Sequence, residues 1–68
     1  MLASLIREYL DKHGIKHAYV AEEIGVAKNV FSSMLGGKRK ISAEEYFSIC
    51  AVVRVDISYF AEKLKEAS

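Results

Sequence analysis

No proline occurs in this chain, cysteine occurs once, and no apolar run approaches the roughly 20 residues that a membrane-spanning helix requires. One cysteine excludes an internal disulfide, so the fold must hold without a covalent staple. The N-terminal stretch lacks the basic start, apolar centre and small-residue cleavage site of a secretory signal, and the expected location is a reducing cytoplasm. Strand alternation, internal repeats, low-complexity tracts and linkers are missing as well. So are the patterns of catalysis. Glu22-Glu23 and Glu44-Glu45 are adjacent carboxylates whose members point in different directions along a helix, and no nucleophile is paired with a base. His13 and His17 are separated by Gly14, which interrupts any helix between them, and Cys50 falls in an apolar stripe, so no metal site is expected. The chain reads as a non-enzyme that needs no cofactor and binds no small-molecule ligand.

What is present fits a small helical globule. A chain of 68 residues makes one domain, spanning 1–68, and such a domain buries only about 60% of its unfolded surface. With 51% hydrophobic and 28% charged residues it can still assemble a core. The net charge of +1 conceals an asymmetry: Met1 to Lys40 carries seven Lys/Arg against four Asp/Glu, whereas Ile41 to Ser68 carries three against five. A surface with one basic, anion-facing side produces such a division.

Hydrophobic spacing predicts five helices. Leu2, Leu5, Ile6, Tyr9 and Leu10 recur at helical intervals, and Gly14 followed by Ile15 reads as a left-handed stop. Val20, Ala21 and Ile24 form a short second helix ending at Gly25; Val26, Val30, Phe31, Met34 and Leu35 form a third ending at Gly36-Gly37, each about two turns long. Ser42 and Glu45 make a capping box, with Ile41 and Tyr46 as staple, that starts a fourth helix burying Tyr46, Ile49, Cys50 and Val53. Asp56 is the expected N-cap of a fifth, with Val55 and Phe60 as staple and Ile57, Phe60, Ala61 and Leu64 as its inward stripe.

Two short helices joined by three or four residues cannot lie antiparallel and must cross steeply. Such a crossing needs a small residue where the helices approach, supplied by Ala21, and a sharp turn four residues later, supplied by Gly25. At these residues the chain resembles the Cro and repressor family of phage and bacterial helix-turn-helix regulators. His17 to Gly36 fits the motif frame, "GVAKNVFSSMLGGKRK" looks like that family's third-helix stretch, and "ISAEEYFSICAVVRVDISYF" resembles its fourth and fifth helices. The resemblance implies an all-α, compact five-helix bundle of the lambda-repressor-like DNA-binding type, its second and third helices forming the helix-turn-helix. Three departures stand out. Ala27 occupies a position where the family prefers a Ser or Thr N-cap, "LGG" replaces "ENG", and Leu10 with Leu35 replaces the family's Arg–Glu pair. The last change implies that both leucines are buried against each other, a swap that is often neutral or stabilising.

With Phe31 and Met34 facing inward, the other face of the third helix presents Lys28, Asn29, Ser32 and Ser33, short polar groups able to enter a major groove. Lys28 can donate to guanine and Asn29 can bond adenine bidentately, although Lys28 can equally bind phosphate and all four can simply solvate a surface. Phosphate contacts are expected from His17, at the start of the second helix and matching a family Gln, and from Lys38, Arg39 and Lys40 just past the third. Tyr19 is expected on an exposed face, toward phosphate or a partner. The function implied is a sequence-specific double-stranded DNA-binding transcriptional regulator, a repressor, acting as a homodimer through the fifth helix, where Ile57, Tyr59, Phe60 and Leu64 give more apolar surface than one stripe uses. The modest net charge and the lack of arginine in the third helix favour the alternative, a protein-interaction module or antitoxin-like partner on the same fold.

Overall fold

A computed structural model describes residues 2–67 as five helices: α1 (Leu2–Lys12), α2 (His17–Ile24), α3 (Lys28–Leu35), α4 (Ala43–Val53) and α5 (Ser58–Ala67). The described residues contain no strand. α2 packs on α3 and α4, while α1 packs on α3 and α5, so each short helix of the central pair is backed by a longer one. Eleven side chains make one core: Ile6 and Leu10 from α1, Val20 and Ala21 from α2, Phe31, Met34 and Leu35 from α3, Ile49, Cys50 and Val53 from α4, and Phe60 from α5. No polar or charged side chain is buried among the described residues. The radius of gyration, 11.0 Å, is what close packing gives a chain of this length, about 11 Å.

Leu10 and Leu35 are 0% and 4% exposed, members of the same core cluster on helices that pack together. Their burial meets the expectation set by the paired exchange of charge for hydrocarbon.

Four of the helices end on one hydrogen-bonding scheme. After α2, Gly25 adopts φ +78°, its N–H donates to the Glu22 carbonyl (3.2 Å), and the next N–H, of Val26, reaches back to Ala21 (3.0 Å). The same pair of bonds closes α1 at Gly14-Ile15, α3 at Gly37-Lys38 and α4 at Arg54-Val55. The last carbonyls of each helix are thus satisfied within the turn itself. Arg54 does this at φ +60° without being glycine, a conformation that costs an ordinary residue roughly 1–2 kcal/mol.

The capping box of α4 is complete: Ser42 Oγ accepts the Glu45 N–H (3.1 Å) and the Glu45 carboxylate accepts the Ser42 N–H (2.9 Å). The fifth helix departs from the sequence-based stripe. Ile57 is 52% exposed and Ala61 is also exposed; Phe60 is buried, with Tyr59 and Leu64 half-buried beside it. The reason lies in the turn before α5. The Asp56 carboxylate accepts from the backbone N–H of Ser58 (2.9 Å) and from its hydroxyl, and the Tyr46 hydroxyl donates to the Ile57 carbonyl. Ile57 is therefore held in the turn with its carbonyl engaged by α4, and helical periodicity does not apply to it. Tyr46, expected in the core, is half-buried because its hydroxyl has to reach that carbonyl.

Candidate nucleic-acid interface

The candidate surface is built on α2, the three-residue turn Gly25-Val26-Ala27, and α3. Val26 is half-buried in that turn, which fixes where α3 begins. Ala27 stands at the N-cap with extended backbone (φ −68°, ψ 151°) and offers no side-chain acceptor, so the first N–H groups of α3 are left to whatever lies outside the helix. Lys16 leaves the start of α2 equally uncapped. Free N–H groups and the helix dipole make both ends favourable to negative charge.

On α3, Phe31, Met34 and Leu35 are buried and Val30 is half-buried, leaving Lys28, Asn29 and Ser32 exposed to solvent. Those three base-reading candidates share the outer face. Ser33 differs: it is half-buried, and its carbonyl accepts the N–H groups of Lys38 (3.0 Å) and Arg39 (3.3 Å). It belongs to the junction of helix and following loop.

The phosphate candidates lie in two settings. His17 opens α2, and its Nε2 sits 2.9 Å from Asp11 Oδ1 of α1, with the ring edge toward Phe31 at 6.3 Å between centroids. Its neighbour is already an anion. Lys38, Arg39 and Lys40 are all exposed in the α3–α4 loop, but only Arg39 is ion-paired, one terminal guanidinium nitrogen lying 3.2 Å from each oxygen of Glu45. The Ser42 N–H and then Arg39 hold the Glu45 carboxyl below its ordinary range. Arg39 consequently ties the basic loop to the first turn of α4. The ammonium groups of Lys28, Lys38 and Lys40 make no ion pair among the described residues.

Sequence reasoning missed Arg7. It lines a surface depression of about 330 Å³ together with His17, Ser32, Ser33, Leu35, Gly36 and Lys38. A signal did exist: Arg7 precedes Leu10 by three residues, so it lies on the side of α1 that faces α3.

Other singled-out groups lie apart. Tyr19 is 54% exposed on α2. Cys50 is buried, and burial pushes its thiol up; the Tyr46 phenol is pushed up to about 12, first by burial and then by the Cys50 thiol. His13 stacks on Tyr9 at 4.1 Å. No group of three or more His, Cys, Asp or Glu side chains converges among the described residues, and no helix is long and apolar enough to cross a membrane. Comparison with protein-family models, with curated proteins and with solved structures found no match to this chain.

Proposed function

We propose that the chain is a sequence-specific double-stranded DNA-binding transcriptional regulator of the Cro/repressor type, a repressor that inserts α3 into the major groove. The observation that carries this reading is the form of the α2–α3 unit. Two helices of eight residues each are joined at a left-handed Gly25, with a buried Ala21 and with Lys28, Asn29 and Ser32 exposed along α3. A helix of this size presenting short polar groups can read base edges, while cations on the flanking loop neutralise phosphates. In this reading Lys28, Asn29 and Ser32 face bases, Ser33 stands at their edge, and His17, Lys38 and Lys40 meet the backbone. Arg39 reaches phosphate only through guanidinium nitrogens that Glu45 leaves open.

A protein-interaction role on the same fold is the competing reading, favoured by the carboxylates already bound to His17 and Arg39 and by the exposed Phe47 and Ile57. Selection of bound sequences from a random duplex pool separates the two. An operator should emerge, and Asn29→Ala should then cost about 1–3 kcal/mol on it and relax preference at one base pair. Failure to enrich any sequence, or unchanged affinity and base preference in Asn29→Ala, would reject base reading by α3.

A further inference from the structure

The depression beside α3 collects donor-bearing side chains from separate parts of the chain. Arg7 lines it from α1, Ser32 and Ser33 from the last turn of α3, and Lys38 from the loop that follows, together with His17 from the start of α2. Neither cation makes an ion pair and neither hydroxyl makes a hydrogen bond among the described residues. No carboxylate lines the depression, although His17 in its lining is paired through Nε2 with Asp11 Oδ1 at 2.9 Å.

Cations gather near helix C-termini to satisfy bare carbonyls. Here three of the last four carbonyls of α3 already have partners, since Ser32 accepts the Gly36 N–H (2.9 Å), Ser33 those of Lys38 and Arg39, and Met34 that of Gly37 (3.2 Å), which leaves the Leu35 carbonyl at the rim of the depression. The dipole at the end of α3 accounts for a cation at Lys38 but not for Arg7, which reaches the same depression from α1 with no carboxylate in the lining.

We propose that this depression seats one phosphate group, with Arg7 as its forked donor, Lys38 as the second cation and Ser33, at the junction of α3 and the loop, bonding a remaining oxygen. A planar guanidinium offers two parallel N–H donors to one phosphate, which an ammonium cannot reproduce. The site adds α1 to an interface otherwise made by α2, α3 and the loop. It rests on the DNA-binding reading only for the source of the phosphate, which is a duplex backbone there and a free phosphoryl compound otherwise.

The test has two arms. In the first, inorganic phosphate is titrated into the full chain while backbone amide resonances are followed. Saturable shifts should be confined to Ser32, Ser33, Gly36, Lys38 and Arg7, should disappear in Arg7→Gln, and should return only weakly in Arg7→Lys. In the second arm, duplex affinity is measured against salt, and Arg7→Gln should flatten the slope of log affinity against log salt by about 0.9, the loss of one phosphate contact. Arg7 is exposed, so unaltered thermal melting should certify the fold; if Arg7→Gln unfolds, Lys38→Gln replaces it with the same expectations. Localised phosphate binding without duplex binding supports the site and rejects the DNA source. Duplex binding whose slope ignores Arg7→Gln, with phosphate shifts scattered over all cations, overturns the site and leaves the DNA reading standing.

Discussion

The Arg39 guanidinium lies against both oxygens of Glu45, whose carboxylate also takes the Ser42 N–H, so one anion serves a helix cap and a loop anchor together. Because this carboxyl is held below its ordinary range, the stability it contributes is present above the usual glutamate range and is lost as pH falls through the lowered value. The alkaline side has a different owner. Burial raises the Tyr46 phenol to about 12, whereas an unfolded tyrosine ionises near pH 10, so the unfolded chain releases its proton first. The Tyr46 contribution should be level below about pH 10 and fall progressively from there to about pH 12, beside a separate alkaline loss from the Cys50 thiol, which burial also raises. Tyr46→Phe should be less stable at neutral pH, having lost the bond to the Ile57 carbonyl, yet should lose less between those two pH values. Denaturant melts of both proteins across that range measure this, and an equally steep alkaline loss in Tyr46→Phe would assign the effect to another group.

Among the elements, α3 has the weakest start, because Ala27 gives the N-cap backbone geometry but no acceptor. Ala27→Ser should stabilise the fold by about 1 kcal/mol, read as a shift in denaturant midpoint with unchanged slope. No gain would mean that the first N–H groups of α3 are already well solvated. Element boundaries were legible wherever the deciding chemistry is local in sequence. Gly25 and Gly37 announced the ends of α2 and α3, and Ser42 with Glu45 announced the start of α4, since caps and left-handed stops act within a few residues. Arg54 stops α4 in the same conformation but carries no glycine to announce it. The face of α5 was misread for a related reason. Ile57 has helical spacing from Phe60 and Ala61, but its orientation is decided by the hydroxyl of Tyr46, eleven residues earlier. On the candidate surface, the exposure of Lys28, Asn29 and Ser32 followed from the burial of Phe31 and Met34. Arg7 did not, because its place beside Lys38 exists only after α1 has packed on α3.

At the scale of the whole molecule, one copy measures 31 × 24 × 22 Å, and a two-fold dimer on duplex DNA would have to place its two α3 helices about 34 Å apart, in successive major grooves. A homodimer through α5 and the segment before it, the surface the sequence suggests, would have to use what the core leaves exposed there. Phe60 is consumed by the chain's own core at 1% exposure, whereas Ile57 at 52% and Phe47 at 51% are the large apolar side chains left outside near α4 and α5. Sedimentation on a selected palindromic duplex should give two chains per duplex, and a single chain would dismiss the dimer. The central claim, that this surface binds the duplex backbone and reads its bases through α3, is tested most directly by affinity for duplex DNA as a function of salt. We expect log affinity to fall linearly with log salt concentration, at about 0.9 per phosphate contact and hence steeply for several contacts per chain. Affinity that is undetectable at low salt, or that does not change with salt, would contradict the account.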